Sequence, residues 1–232
     1  MLKESTLVVL SGGQDSITCL GLAIKTYEKV YAISFNYGQT HSIELECAAK
    51  VCKKHNIEHT IIDISFLSKM VTSGLTSDLD VNTPHPRLTN LPASFVPSRN
   101  ALFLTIAHGL AQELEISNII TGVCQTDYSG YPDCRRTFIN ALELALDLGY
   151  QSEITIETPL MYLTKAETFA LANKVGFLET VLNDSHTCYN GDHTTLNGWG
   201  YGCGECAACK LRKAGWEEYT SEDTKKQGAP DA

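Results

Sequence analysis

Short apolar runs alternate with amphipathic segments over most of the chain, and this alternation constrains the fold more than any other feature. Five runs predict strands: 6–11, 30–38, 59–65, 118–123 and 154–160. Helical spacing of apolar residues predicts helices over 16–28, 40–56, 100–115, 135–149 and 164–176. Strands that alternate with helices form a parallel sheet covered on both faces. The sequence therefore predicts an α/β fold with a doubly wound, mostly parallel sheet.

Two local patterns refine this prediction. Thr164 is followed three residues later by Glu167, which predicts a capping box at the start of the last of these helices. Four prolines interrupt the pattern between residues 66 and 99, so this stretch predicts a long loop with at most one short helix. We therefore expect a regular sheet with one long insertion before the helix at 100–115.

The segment Ser11-Gly12-Gly13-Gln14-Asp15-Ser16 joins the first strand to the first helix. Glycines let backbone N–H groups approach a phosphate, and a helix N-terminus carries partial positive charge. The hydroxyl groups of Ser11 and Ser16 add two possible donors. The lysine of a Walker A loop is absent, and so is a GxGxxG dinucleotide motif. The segment predicts an anion site of another type, and the alternative is a tight turn with Asp15 or Ser16 as N-cap.

Four cysteines near the C-terminus have metal-ligand spacing. Cys203, Cys206 and Cys209 form a C-x-x-C-x-x-C pattern, and Cys188 precedes them. Four thiolates in such a pattern favour a closed, structural zinc site with about one ion per chain. The alternatives are a Cys3His site with His186 or His193, a set of free thiols, or a three-cysteine iron–sulfur site.

These patterns divide the chain into three parts. We expect an α/β domain with the anion site over 1–180, a small zinc-binding appendage over 181–220, and a frayed polar tail over 221–232. The net charge of −9 argues against a broad nucleic-acid surface. No long apolar window is present, so we expect no membrane partner. With nine cysteines and no sign of a signal peptide, the sequence predicts a cytoplasmic protein with reduced thiols.

The loop SGGQDS resembles the PP-loop of the N-type ATP pyrophosphatase superfamily. Four further segments resemble the 7-cyano-7-deazaguanine synthase family of queuosine biosynthesis: FVPSRN (95–100), TGVCQTDYSGYPDCR (121–135), ETPLMYLTKAE (157–167) and the cysteine region 188–209. The resemblance covers residues 6 to about 216. It implies an adenine nucleotide alpha hydrolase-like fold and a homodimer. It also implies an ATP-dependent ligase that converts 7-carboxy-7-deazaguanine and ammonia to the nitrile, with release of AMP and pyrophosphate.

The resemblance also implies roles for individual residues. Asp15, Ser16 and Lys165 become catalytic candidates, and Asp15 becomes a candidate for binding the Mg²⁺ that accompanies ATP. The implied ATP-binding residues are Leu10, Ser11, Gly12, Gly13, Gln14, Asp15, Ser16 and Arg99. Apart from the resemblance, a lysine near a helix start is usually only solvated.

The loop 124–134 is the predicted substrate site, because α/β sheets place ligands at the carboxyl ends of strands. Asp127 and Asp133 can accept hydrogen bonds from a guanine-like edge, Tyr131 can stack on the base, and Arg135 can hold a carboxylate. An alternative role for Asp133 is to cap the following helix.

Two other functions compete with the ligase. Cys124 and Cys134 flank the predicted substrate loop, and a cysteine pair can carry sulfur in an RNA sulfurtransferase. The C-terminal cysteines can also belong to a zinc ribbon that binds nucleic acid. The negative net charge argues against both, so we expect small-molecule substrates and no nucleic-acid partner.

Overall fold

The computed structural model describes residues 3–77, 79–126 and 130–227. Its strands are β1 (Lys3–Val9), β2 (Tyr27–Asn36), β3 (Glu58–Asp63), β4 (Asn118–Thr121), β5 (Thr155–Glu157), β6 (Leu196–Asn197) and β7 (Gly200–Tyr201). Its helices are α1 (Gln14–Thr26), α2 (Ile43–Lys54), α3 (Leu67–Met70), α4 (Arg99–Glu113), α5 (Arg136–Tyr150), α6 (Lys165–Lys174), α7 (Leu178–Asp184) and α8 (Ala207–Gln227). A 3₁₀ turn spans Pro132–Cys134.

Five strands form one parallel sheet in the order β3-β2-β1-β4-β5. Leu7 at the centre pairs with Tyr31 of β2 and with Ile119 of β4. The chain first builds outward from β1 to β3, and then returns to the other side of β1. The order of the strands therefore reverses between β1 and β4, where open α/β sheets bind their ligands.

Two hydrophobic layers cover the sheet, because successive strand residues point to opposite faces. Leu7 and Ile119 pack with helix α4 on one face. Val8 and Ile120 pack with α1 and α6 on the other. This arrangement confirms the predicted doubly wound α/β fold.

Most predicted elements are present with shorter bounds. The capping box is confirmed, because Thr164 Oγ1 accepts from the Glu167 amide and Glu167 accepts from the Thr164 amide. The strand predicted over 154–160 is limited to β5, and the helix predicted over 16–28 ends at Thr26. That helix ends because Tyr27 adopts an extended backbone and begins β2. The long loop after α3 is also confirmed, with one isolated bridge between Pro84 and Pro92.

The C-terminal segment is more helical than the sequence predicts. Helix α8 packs on α6, with the rings of Trp216 and Phe169 5.1 Å apart, and Tyr219 is buried in the same core. The frayed tail predicted from residue 221 conflicts with α8, which continues through Gln227. The predicted domain boundary at residue 180 falls inside α7. Among the described residues, no helix has both the length and the apolar character needed to cross a membrane.

Candidate active site and metal centre

The segment between β1 and α1 forms a hydrogen-bonded loop at the reversal point of the sheet. Ser16 Oγ accepts from the Gly12 amide at 3.1 Å, and Ser11 Oγ accepts from the Gly13 amide at 3.2 Å. The two hydroxyl oxygens lie 3.1 Å apart. Gly12 has a φ of +95°, and a Cβ there would overlap the carbonyl oxygen of Glu44. The position therefore requires glycine for both its conformation and its space.

Asp15 and Lys165 form an ion pair across this loop. Lys165 Nζ donates to Asp15 Oδ2 at 2.6 Å, and the lysine side chain is only 9% exposed. The capping box begins α6 at Lys165 and so points this cation at the start of α1. The other oxygen of Asp15, Oδ1, is buried without a partner among the described residues. The loop therefore obtains from α6 the cation that its own sequence lacks.

Arg99 lies at the first position of α4, after Ser98 in a left-handed conformation. Its guanidinium lies 5.6 Å from the ring centre of Tyr37. Burial disfavours the charged form, but Tyr37, Tyr131 and Asp133 keep the pKa of Arg99 above its ordinary value. Its Nε atom is buried without a partner in the described part of the chain. Arg99 is therefore a charged group that can still donate to an anion.

The predicted substrate residues have different surroundings. Tyr131 is buried, and its hydroxyl lies 2.7 Å from Ser94 Oγ. Asp133 is buried beside Arg99; burial raises its pKa, and Arg99 opposes that shift. Arg135 is exposed at the start of α5 and does not join the other candidates. Asp127 lies outside the described residues.

A cavity of about 290 Å³ lies between the loop after β1, Lys165, Arg99 and Tyr131. The predicted residues on its wall are Leu10, Ser11, Gly13, Gln14, Asp15, Ser16, Arg99, Tyr131 and Lys165. Cys124 and Cys134 also line it. The thiol of Cys124 lies 3.2 Å from the Leu163 carbonyl oxygen, to which it can donate. The wall residues that the sequence did not predict include Tyr37, Glu44 and Tyr189. Tyr37 follows the end of β2, so the rule that ligands bind beyond strand ends offered a signal for it.

Cys188, Cys203, Cys206 and Cys209 come together as predicted. Their sulfur atoms all lie within 4.8 Å of one another, and the Cys203 and Cys209 sulfurs are 3.9 Å apart. Hydrogen bonds from Cys188 and Cys209 lower the pKa of Cys206 to about 3. Thiolates are the form that binds metals. The cluster can therefore hold a metal ion, with no fifth protein ligand within the described residues.

The residues just before Cys188 join the cysteine cluster to the loop after β1. The His186 amide donates to the Gly12 carbonyl at 3.0 Å. The Gln14 amide donates to Thr187 Oγ1 at 3.3 Å. The cysteine cluster and the loop after β1, which are distant in sequence, are thus parts of one structural unit.

Arg212 supports this connection from inside the protein. It is fully buried and donates to Thr187 Oγ1, to the Trp199 carbonyl and to the Val181 carbonyl, at 3.1, 2.8 and 2.8 Å. Burial lowers its pKa to about 10. The sequence prediction missed Arg212, although it follows Cys209 at three-residue spacing, which places these two residues on one side of α8.

The chain is similar to known proteins over most of its length. The family model described as queuosine biosynthesis protein QueC matches residues 5–220. A 7-cyano-7-deazaguanine synthase of Wolinella succinogenes is 53% identical over 220 residues, which cover 94% of each chain. One of Helicobacter acinonychis is 46% identical, over 94% of this chain and 98% of that one.

A solved structure shows the same fold. The U34-tRNA thiolase NcsA from Methanococcus maripaludis, which was solved with its 4Fe-4S cluster, aligns with a TM-score of 0.50 at 16% identity. The alignment covers 97% of this chain and 68% of that chain. Because the family match spans the sheet, the loop after β1 and the cysteine cluster, the chain belongs to the QueC family of queuosine biosynthesis proteins.

Proposed function

We propose that this protein is a 7-cyano-7-deazaguanine synthase. It is an ATP-dependent carbon–nitrogen ligase that converts 7-carboxy-7-deazaguanine and ammonia to the nitrile and releases AMP and pyrophosphate. The observation that carries the proposal is the Asp15–Lys165 pair on the loop after β1, in a chain that aligns along 94% of its length with a named synthase.

The loop after β1 binds the phosphates of ATP in this proposal. Its glycines and the start of α1 offer N–H groups and partial positive charge to the β- and γ-phosphates. Asp15 Oδ1 is available to Mg²⁺, a cation that prefers oxygen ligands. Lys165 and Arg99 supply positive charge from two other helices. ATP is then attacked at the α-phosphate, and pyrophosphate leaves.

Adenylylation has to occur twice. The substrate carboxylate first attacks the α-phosphate, ammonia displaces AMP, and the product is an amide. The remaining oxygen is removed only after the amide oxygen is activated in the same way. Preorganised donors around the phosphates stabilise the charge that develops in both rounds. Each carboxylate oxygen therefore leaves in a molecule of AMP.

The loop 124–134 recognises the base. Asp133 and Asp127 accept from the guanine-like edge, and Tyr131 packs against the base. Arg135, which is exposed and does not line the cavity, is left without a role in holding the carboxylate. The positions of Tyr131 and Asp133 beside Arg99 support this assignment. Cys124 is not required, because the reaction transfers no sulfur.

The cysteine cluster holds a structural Zn²⁺, about one per chain. Thiolates around zinc, at bond lengths of about 2.3 Å, lie about 3.8 Å from one another. The 3.9 Å between the sulfurs of Cys203 and Cys209 fits this geometry. All four positions are taken by cysteines, so the metal orients the C-terminal segment and takes no part in the reaction.

The active species is a homodimer in the cytoplasm that acts on small molecules and not on nucleic acid. Helix α5 exposes Leu144 and Leu148, which are 61% and 72% exposed, and this apolar surface suits a contact with a second copy. The nine free cysteines suit a reducing compartment. Sedimentation velocity measures the oligomeric state.

Isotope labelling tests the proposed reaction. The protein is incubated with ATP, ammonia and 7-carboxy-7-deazaguanine that carries ¹⁸O in both carboxylate positions, and the products are analysed by mass spectrometry. We expect the unlabelled nitrile and AMP that carries one ¹⁸O atom. Formation of ADP, or release of the label to water, would refute the proposal.

A further inference from the structure

Glu44 lies in the first turn of α2 and borders the loop after β1. Its backbone carbonyl packs against Gly12, and its side chain lines the cavity. A Cβ built on Gly13 would lie 3.9 Å from Glu44 Oε1. The carboxylate is therefore next to the loop that holds the phosphates, and neither the sequence motifs nor the proposed activation steps use it.

The half-buried Glu44 carboxylate differs from two other acids of this region, Asp15 and Asp184, in having no partner among the described residues. Asp15 is paired with Lys165, and Asp184 is paired with Lys50 and Lys54. In the part of the chain that the structure describes, Glu44 makes neither a side-chain hydrogen bond nor an ion pair. An acid held against a cavity without a partner is free to exchange a proton with a ligand there.

Four titratable or charged groups interact electrostatically with Glu44. Cys47 lies on the same helix, and the other three come from neighbouring segments: Tyr37 after β2, Arg99 of α4 and Tyr189 after α7. Burial raises the pKa of Glu44 to about 7, and Arg99 opposes that shift. The effect of burial exceeds the attraction of the single cation. A group with this pKa can both accept and release a proton near neutral pH, as efficient general bases do.

The proposed reaction needs such a base. Ammonia carries three hydrogens on nitrogen, and the nitrile nitrogen carries none, so every one of these protons has to be removed. Asp15 suits this task poorly because Lys165 neutralises it. Of the two acids among the described wall residues, Asp15 and Glu44, only Glu44 forms no ion pair.

We propose that Glu44 is the general base that removes protons from the reacting nitrogen, an inference that rests on the proposed synthase activity. In the first round, the lone pair of ammonia forms the C–N bond to the acyl adenylate. The C–O bond to AMP breaks with its electron pair, and the nitrogen proton forms an O–H bond on Glu44. In the second round, the amide oxygen attacks the α-phosphate and pyrophosphate leaves, and one N–H proton passes to Glu44 to give a neutral adenylylated imidate. The electrons of the last N–H bond then form the triple bond as the C–O bond to AMP breaks, and this proton also passes to Glu44. Glu44 releases each proton to water before it accepts the next.

The substitution Glu44→Gln tests this role, because it keeps the shape and removes the basicity. General bases contribute about 10²–10⁴-fold, so we expect nitrile formation to fall by at least about 100-fold. The rate at which labelled pyrophosphate exchanges into ATP in the presence of 7-carboxy-7-deazaguanine should stay within about twofold of the wild-type rate. This exchange reports adenylylation, which precedes the attack of nitrogen. Glu46→Gln, a change at an exposed acid of the same helix, is the matched control and should leave both activities unchanged.

The pH profile separates a base from a structural residue. Wild-type kcat should rise with pH through about 7, as the Glu44 carboxylate becomes deprotonated, and Glu44→Gln should lose this limb. The wild-type profile is informative even if the variant fails to fold. Loss of pyrophosphate exchange in Glu44→Gln would instead assign the residue to Mg²⁺ or phosphate binding and overturn the proposal. Unchanged nitrile formation in this variant would also overturn it. Absence of exchange in the wild type would refute the synthase activity itself.

Discussion

Replacement of Thr187 by valine tests whether the segment beside the cysteine cluster, residues 186–188, supports the loop after β1. Thr187 Oγ1 accepts two hydrogen bonds, from Arg212 Nη1 at 3.1 Å and from the Gln14 amide at 3.3 Å. Valine has nearly the same shape and accepts neither. The variant therefore removes one acceptor shared by the C-terminal segment and the first residue of α1.

The size of the effect follows from these two bonds. A hydrogen bond from a charged donor contributes about 1.5–3 kcal/mol, and a neutral one about 0.5–1.5 kcal/mol. Arg212 keeps its two carbonyl acceptors, so its charge does not become wholly unpartnered. We expect the free energy of unfolding to fall by about 2–4 kcal/mol. Because the start of α1 loses one of its anchors, the KM for ATP should rise about tenfold, which corresponds to ~1.4 kcal/mol.

Urea unfolding of the metal-loaded protein measures the first effect, and pyrophosphate exchange at varied ATP measures the second. Thr187→Ser retains the hydroxyl and should restore both values. The zinc content should stay at about one per chain in both variants, because no ligand has changed. If Thr187→Val matches the wild type in stability and in KM for ATP, the segment at residues 186–188 does not support the loop after β1.

Three further variants examine other parts of the site. Cys206→Ser should lose the metal and lower the unfolding temperature before any chemical step changes, and elemental analysis with calorimetry checks this; a folded, metal-free variant with normal turnover would contradict a structural metal. Lys165→Met should slow pyrophosphate exchange by about 10²–10³-fold, since it removes the cation beside Asp15; wild-type exchange rates would exclude Lys165 from adenylylation. Asp133→Ala should weaken binding of 7-carboxy-7-deazaguanine more than binding of ATP in calorimetric titrations; the reverse order would place Asp133 on the nucleotide side.

The sheet and its main helices could be predicted because their sequence patterns are local. The apolar run before Ser11, the glycines that follow it and the capping box at Thr164 each act over a few residues. The cysteine spacing was equally informative, because four thiolates specify a site largely independently of the fold. These signals also predicted the order of strands and helices along the chain. The carboxyl ends of the predicted strands then indicated the edge of the sheet that is expected to bind a ligand.

The contacts between distant segments could not be predicted in the same way. Nothing in the sequence around Lys165 indicates that it pairs with Asp15, because the pair depends on how α6 packs beside α1. Glu44 resembles any acid in a first helical turn, and only its burial against Gly12 distinguishes it. Helix α8 was missed because the cysteine and glycine pattern before it predicts turns, whereas its helical form depends on packing against α6.

These contacts explain how a loop without a lysine can handle a highly charged nucleotide. In a Walker A loop the cation belongs to the loop itself. Here Lys165 comes from α6 and Arg99 from α4, while the segment beside the cysteine cluster holds the loop through Gly12 and Thr187. Because both cations belong to other helices, their positions are set by the packing of α4 and α6 and not by the loop itself. The proposed release of pyrophosphate therefore relies on cations from α4 and α6, and a hydrogen bond joins the start of α1 to the segment that carries the cysteine cluster, more than 170 residues away in sequence.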